Sequence, residues 1–322
     1  MTSTKRDAMR CSPPPTPPPA PPKGRTPIEH AKDNVQPGAQ KGMSLHIGVN
    51  GLDPVHFPGL LSSLQGCEND ARTMAQIAKA GGFSVTEPLL GQAATSAAVV
   101  NGISTAAAQL NDGDTFLITF AGHGGFVRNP RTPEEGGSDQ TWVLYDRQML
   151  DDELYQLWTI FKPGVRVVVV SDSCYSGSVA AFQSNQLPAV VRQRLADVNA
   201  LPPTRGRALP EEVVKSTAEI NQSLYAGIKA RTESARTVSV AASVLLLAAC
   251  QDWEEADDGG TNGLFTSKIA EVWNGGKFAG SYEALWERVH MLVTRVNPDQ
   301  HPQWFPVGVP NGAFWHSTAF KV

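Results

Sequence analysis

The sequence predicts an α/β fold, a three-layer sandwich in which helices cover both faces of a mostly parallel sheet. Two largely apolar runs, residues 114–120 and the four valines at 167–170, are typical of strands buried on both faces of a parallel sheet. Stretches with helical spacing separate such strands, and this alternation indicates crossover units. A chain of 322 residues with 41% hydrophobic content is long enough to bury a core of that size.

The elements follow in order along the chain. We expect a first core strand at residues 44–50, then a helix that carries Met74 and Ile77 and stops at Gly81–Gly82. A short strand at 83–85 and a helix at about 95–110 lead to the strand at 114–120. Further strands are expected at 142–145 and 244–250, and further helices are expected to begin at Asp151 and Gly263 and to pass through Tyr282.

The chain divides into four regions by composition. Residues 1–43 form a proline-rich arm, expected to be disordered, which is either a spacer or a polyproline ligand for a partner protein. Residues 44–200 form a large region and residues 237–322 a small region that completes the same sheet. Between them, residues 201–236 carry prolines, glutamates and scattered basic residues, which predicts an exposed, partly helical linker.

The net charge, the cysteine count and the lengths of the apolar runs argue against several classes of protein. A net charge of −4 and a pI near 6.0 argue against nucleic acid as a partner. Four scattered cysteines indicate a reducing compartment, and the first ten residues lack the apolar core of a signal peptide. The longest apolar run, residues 238–249, is too short to span a bilayer. We therefore expect a cytoplasmic protein that does not bind membranes.

A histidine and a cysteine follow the two core strands. His123 lies in Gly122–Gly125 directly after the first strand, and Cys174 follows the second, 51 residues later. Ligands of open α/β sheets bind beyond the carboxyl ends of the strands, so the two side chains are placed where a nucleophile and its base would meet. The alternatives are a buried, inert cysteine and a structural loop histidine.

These motifs resemble those of the metacaspases and their bacterial relatives. Asp172–Ser173–Cys174–Tyr175–Ser176–Gly177 together with the Gly-His-Gly-Gly segment carries the resemblance, which extends over roughly residues 44–308. It implies a caspase-type fold and a cysteine endopeptidase that cuts after arginine or lysine through a thioester. It also implies an oxyanion hole formed by the backbone N–H groups of Gly124 and Cys174.

An acidic pocket is expected beside the cysteine. Asp172, two residues before Cys174 on the same strand, should face the same cleft, where a substrate arginine or lysine would pair with its carboxylate. The resemblance implies that Asp70 lines this pocket with Cys67 at its edge, whereas the alternative for Asp70 is a helix N-cap. An internal arginine already paired with Asp172 would overturn the prediction of a protease that cuts after basic residues.

The resemblance also implies a calcium site. Asp151 and Asp152, with Asp139 upstream, match a segment that helps to bind an activating Ca²⁺, and oxygen ligands suit that ion. The alternative is that the two neighbouring aspartates only charge the start of a helix.

The predicted function is therefore peptide-bond hydrolysis on protein substrates with basic residues. Basic residues between Arg205 and Arg236 in the linker are candidate sites of self-cleavage. Two alternatives remain: a catalytically silent caspase-like scaffold, and another protease with a His-Gly and Cys layout, such as a separase-like or gingipain-like enzyme. The segment with Cys67 and Asp70 argues against the latter.

Overall fold

The computed structural model describes residues 40–60, 63–128, 138–174, 206–232, 238–251 and 254–322. Residues Ala39–Val322 form one compact unit. The predicted arm therefore lies outside the described residues except for residues 40–43. The first strand begins at Gly42, two residues before the predicted boundary.

Ten strands and eight α-helices are found in this part of the chain. In chain order the strands are β1 (Gly42–Gly48), β2 (Ser84–Val85), β3 (Leu89–Leu90), β4 (Thr115–Ala121), β5 (Gly124–Arg128), β6 (Ser138–Val143), β7 (Gln148–Leu150), β8 (Arg166–Asp172), β9 (Ser243–Ala248) and β10 (Gln303–Gly308). The helices are α1 (Cys67–Ala80), α2 (Ser96–Gln109), α3 (Asp151–Thr159), α4 (Glu211–Ile220), α5 (Gln222–Thr232), α6 (Leu264–Trp273), α7 (Tyr282–Val296) and α8 (Gly312–Trp315).

The central sheet has the order β10-β9-β8-β4-β1-β2, with β3 also paired to β1. All neighbours are parallel except β9 and β10, which are antiparallel. The predicted mixed, mostly parallel sheet is therefore confirmed. Strand β9, from the part of the chain that follows the linker, pairs directly with β8, so both parts contribute to one sheet.

Alternate side chains of the central strands pack into two cores. Val167 and Val169 of β8 face a core that includes α2 and α3, whereas Val168 and Val170 face a core that includes α1, α6 and α7. All four valines are at most 1% exposed. Burial on both faces explains the uninterrupted apolar run, since neither face of the strand meets water.

Local capping defines two of the helix ends that frame the sheet. The Thr95 hydroxyl accepts a hydrogen bond from the backbone N–H of Ala98 at the start of α2. Helix α1 ends at Ala80, and Gly82 follows with a φ of 93°, a left-handed conformation that glycine adopts without strain. The predicted stop at Gly81–Gly82 is therefore confirmed.

A smaller antiparallel sheet, β5-β6-β7, lies beyond the histidine loop. The linker helices pack on it: Val213 and Val214 of α4 contact a cluster with Val143, and Tyr225 and Ile228 of α5 contact one with Val127. The linker is partly helical, but the prediction that it is exposed is wrong at these positions. No helix among the described residues is long and apolar enough to cross a membrane.

Candidate active site

The histidine and cysteine loops lie side by side at the carboxyl edge of the sheet. Strands β4 and β8 are parallel neighbours, and Ala121 pairs in register with Asp172. His123 and Cys174 each follow that pair by two residues, and both are buried. The structure thus places the two residues at one edge, in the arrangement that the strand pattern predicts.

Gly124 allows the two loops to approach each other. A Cβ atom at this position would overlap the backbone carbonyl oxygen of Cys174, so no other residue fits without a shift of the backbone. The backbone N–H of Gly124 therefore lies next to the cysteine, which is where an oxyanion-hole donor is needed.

The cysteine and the histidine are both uncharged in this state. The Cys174 sulfur accepts a hydrogen bond from the backbone N–H of Ala256 at 3.1 Å, and neither ring nitrogen of His123 has a hydrogen-bond partner among the described residues. Burial raises the pKa of the Cys174 thiol well above its usual value and lowers the pKa of His123 to about 4. At neutral pH the pair is therefore a thiol and a neutral imidazole, with no direct bond between them.

An arginine from the linker fills the acidic pocket beside Cys174. The side chain of Arg207 is 0% exposed, and its guanidinium ion-pairs with Asp70 at 2.6 Å, with Asp172 at 2.9 Å and with Asp258 at 3.1 Å. The prediction of an exposed linker is wrong here because three carboxylates neutralise the buried guanidinium and replace its water.

Residues at and just before the start of α6 hold the two predicted pocket residues, Asp70 and Asp172, in place. The Asp70 carboxylate accepts hydrogen bonds from the backbone N–H of Gly263 and from Asn262. Asp172 accepts hydrogen bonds from the backbone N–H and the hydroxyl of Thr266, at 2.9 and 2.6 Å. Asp70 is therefore a pocket residue, and the N-cap of α1 is Gly66, without a side-chain bond.

Burial shapes the charge balance of this pocket. Burial raises the pKa of Asp70 to about 7, an effect that the Arg207 guanidinium opposes. Cys67 lies at the pocket edge as the resemblance implies, with its sulfur 3.7 Å from an Asp258 oxygen. Burial also raises the pKa of the Cys67 thiol, which is therefore uncharged.

The backbone of residues 206–209 lies as an added strand between two loops. Arg207 donates its N–H to the carbonyl of Ala256, and Leu209 donates its N–H to the carbonyl of Gly124. The Arg207 carbonyl oxygen accepts a hydrogen bond from the backbone N–H of Gly124 at 2.8 Å. Extended peptides bind enzymes and recognition domains by this kind of strand addition.

The imidazole of His123 lies against the same peptide. Burial lowers its pKa, and the adjoining backbone of Arg207 and Ala208 partly opposes that effect. The Arg207–Ala208 peptide bond is thus enclosed by the histidine, the Gly124 N–H and the acidic pocket. Reaction at a carbonyl needs such a set: a proton donor, an oxyanion donor and a pocket that fixes the position of the chain.

The three predicted calcium ligands lie on neighbouring elements, Asp139 on β6 and Asp151 and Asp152 at the start of α3. The Lys229 ammonium is 2.8 Å from an Asp139 carboxylate oxygen, and the Thr232 hydroxyl donates a hydrogen bond to Asp152. Burial raises the pKa of Asp151, reinforced by the carboxylates of Asp139 and Asp152. Asp151 and Asp152 also form the first turn of α3, so the helix-charging alternative holds as well.

Two residues of the pocket are not among those predicted from the sequence. Arg207 lies in the segment predicted to be an exposed linker, and Asp258 lies outside the motifs that predict the site. A signal for Asp258 exists: it stands in Asp257–Asp258–Gly259–Gly260, an acidic and glycine-rich loop after core strand β9, whose carboxyl end shares the edge of β8.

Comparisons with known proteins agree with this geometry. The family model described as "Caspase domain" matches residues 51–309. A solved structure, protein GSU0716 from Geobacter sulfurreducens, is 38% identical with a TM-score of 0.75, and the match covers 88% of this chain and 99% of that one.

Curated relatives match over a shorter stretch. Metacaspase-4 of Arabidopsis thaliana is 28% identical over 155 residues, 44% of this chain and 37% of the relative. Metacaspase-1 of Kluyveromyces lactis is 26% identical over 174 residues, 47% of this chain and 38% of the relative. The matched part is thus well under half of the length of either relative.

Removing the Arg207 charge should destabilise the fold. The variant Arg207→Gln, made in a Cys174→Ala background, leaves the three carboxylates close together without their cation. Its free energy of unfolding should therefore be lower by about 3–5 kcal/mol at pH 7. The loss should shrink as the pH falls below about 7, because burial raises the pKa of Asp70 to about 7 and its protonated form no longer pairs with a guanidinium. Denaturant unfolding measures both effects. The control Lys321→Gln removes an exposed charge and should change stability by less than about 0.5 kcal/mol; an equal effect of the two variants would contradict the assignment.

Proposed function

The chain belongs to the caspase-domain family of cysteine peptidases, and from that premise we propose that it is an endopeptidase that cuts peptide bonds after arginine or lysine. Cys174 is the nucleophile and His123 the general acid and base. The reaction passes through a thioester between Cys174 and the acyl half of the substrate.

The observation that carries this proposal is the position of Arg207. An internal arginine on Asp172 is the observation that would overturn a pocket for basic substrates, and Arg207 does occupy the pocket in this state. Its backbone, however, is laid along the cleft with its carbonyl oxygen on the Gly124 N–H. An arginine that only neutralised a buried carboxylate would not need that backbone position, so the arrangement supports a pocket built for the residue before a scissile bond.

The chemistry follows from the groups around that carbonyl. The Cys174 sulfur attacks the carbonyl carbon, and the N–H of Gly124, joined by that of Cys174, stabilises the developing oxyanion. His123 takes the thiol proton and delivers it to the leaving amine. Water then hydrolyses the thioester, and the histidine acts as base for that step.

A local rearrangement must precede attack. The sulfur now accepts a hydrogen bond from the Ala256 N–H, and its thiol is protonated because burial raises its pKa. Transfer of the thiol proton to His123 requires the two groups to meet. The uncut chain is therefore poised for reaction but held in an uncharged state.

The same geometry supports self-cleavage at one bond. Among the linker's basic residues that the structure describes, Arg207 is the one that lies in the pocket with its carbonyl at the oxyanion donor, so we place the cut between Arg207 and Ala208. The helices α4 and α5 that follow the cut pack on the smaller sheet. They lie on the side of the cleft that would receive the leaving half of a substrate.

Calcium stimulation stays a proposal. Carboxylate oxygens from Asp139, Asp151 and Asp152 are the donors that calcium prefers. Among the residues that the structure describes, however, no group of three or more histidine, cysteine, aspartate or glutamate side chains is arranged to hold a metal ion. With the Lys229 ammonium on Asp139, these residues do not fit the ion as they stand.

The cytoplasmic location, a partner for the proline-rich arm and protein substrates with basic residues are likewise proposals. Protein substrates follow from the family, whereas nothing in the described residues bears on the location or on the arm. A silent scaffold remains the alternative from another class.

Self-cleavage should occur after Arg207. The purified chain should convert to two fragments, residues 1–207 and 208–322, identified by intact mass and by the new N-terminus at Ala208. Cys174→Ala should stay intact, because the nucleophile is lost, and so should Arg207→Gln, because its amide cannot pair with three carboxylates.

The matched control is Arg205→Gln, which changes a neighbouring basic residue and should leave the cut unchanged. Cleavage of Arg207→Gln at the normal rate, or a cut only at another basic residue, would remove the assignment of this bond.

Turnover of short fluorogenic peptides should follow the charge of the pocket. Peptides with arginine or lysine before the scissile bond should be cut, and a matched aspartate peptide should not, because the pocket already holds three carboxylates. Each assay is run with calcium and with a chelator, and calcium should raise the rate only if the Lys229 ammonium first leaves Asp139. A protein that cuts none of the peptides, and whose Cys174→Ala variant keeps the cellular effect of the wild type, would be a scaffold.

A further inference from the structure

Asp258 adds a third carboxylate to the pocket from a separate part of the chain. It belongs to the loop between β9 and α6, whereas Asp70 lies on α1 and Asp172 ends β8. Its side chain is 13% exposed, and one of its oxygens, Oδ1, contacts the guanidinium of Arg207. None of the motifs found in the sequence accounts for a carboxylate at this position.

The three carboxylates make different sets of contacts with the guanidinium nitrogens, and Asp70 and Asp258 share Nη2. Asp172 reaches Nη1 at 2.9 Å, and its backbone carbonyl accepts a second bond from the same nitrogen at 2.7 Å. Asp70 reaches Nη2 at 2.6 Å. Asp258 alone spans the side edge of the group, with Oδ1 3.3 Å from Nε and 3.1 Å from Nη2.

That side edge exists in arginine and not in lysine. A lysine side chain ends in a single ammonium, which can approach the carboxylates at the end of the pocket but has no nitrogen at the position of Nε. Asp70 and Asp172 could therefore pair with either an arginine or a lysine side chain. The contact to Nε serves arginine only.

The Asp258 carboxylate is fixed in place before any side chain enters. Its Oδ2 accepts the backbone N–H of Gln65 at 2.8 Å, and its Oδ1 accepts that of Gly66 at 3.2 Å, just before α1. A helix N-terminus favours a negative charge at this point. The planar guanidinium thus meets an acceptor that is already oriented, which is the condition for recognition by shape as well as by charge.

From this geometry we propose that Asp258 is the residue that makes the pocket select arginine over lysine. The inference rests on the proposed function, because it concerns the residue before the scissile bond of the same site. Asp70 and Asp172 supply the negative charge that attracts any basic side chain, and Asp258 distinguishes between the two.

The test compares paired peptides that differ only in arginine or lysine before the scissile bond. With the self-processed enzyme, kcat/KM should favour arginine by at least about 10-fold, the factor expected from one charge-assisted hydrogen bond. In Asp258→Ala the arginine peptide should lose about 10- to 100-fold, and the lysine peptide less than about 3-fold. The control Asp257→Asn alters the neighbouring carboxylate, which lies on a Gly259 N–H, and should keep the wild-type ratio.

A second measurement uses the chain's own bond and needs no added substrate. Arg207→Lys should slow self-cleavage in the wild-type background, and the difference between arginine and lysine at this position should vanish in Asp258→Asn. Asp258→Asn keeps the size of the side chain, so the arginine and lysine forms can still be compared if Asp258→Ala fails to fold.

The outcomes separate the two proposals. If basic peptides are cut but the arginine-to-lysine ratio is the same with and without Asp258, or both peptides lose equally, the role of Asp258 is overturned and the proposed function stands. If no basic peptide is cut by the wild type, the proposed function fails, and this inference fails with it.

Discussion

The ion pairs between Arg207 and three buried carboxylates are the interaction on which the rest of the site depends. An isolated guanidinium in the core would be very costly, and so would three crowded carboxylates, whereas together the opposite charges stabilise each other. The partners come from α1, from the end of β8 and from the loop after β9. One linker side chain therefore ties together the parts of the chain before and after the linker, at the edge of the sheet where the cysteine lies.

That contact blocks the pocket and also presents a bond to it. The Arg207 carbonyl oxygen lies on the Gly124 N–H, and the imidazole of His123 lies against the Arg207–Ala208 peptide, so the linker occupies the cleft as a substrate would. In the proposed mechanism the protonation state of the cysteine decides which role prevails. The linker blocks the site while the Cys174 sulfur is bonded to the Ala256 N–H, and it would become the first substrate once the thiol proton passes to His123.

Only the parts of this site that follow from local sequence patterns can be predicted from the sequence. Apolar runs predict β4 and β8, and the parallel arrangement then carries His123 and Cys174 to one edge without knowledge of their contacts. The resemblance adds Asp70 and Asp172. Arg207 could not be predicted in the pocket, because its surroundings in sequence are polar and its partners lie 137, 35 and 51 residues away. Asp258 could not be predicted in the pocket either, because the guanidinium that it contacts lies 51 residues away in the linker.

The central claim is that the Arg207–Ala208 bond already lies in the chain's own cleft, and the dependence of self-cleavage on protein concentration tests it most directly. A bond cut within its own molecule breaks in a first-order reaction, so the half-time measured by intact mass should stay the same over a 100-fold dilution. A half-time that lengthens in proportion to the dilution would mean that one molecule cuts another, and it would contradict the account.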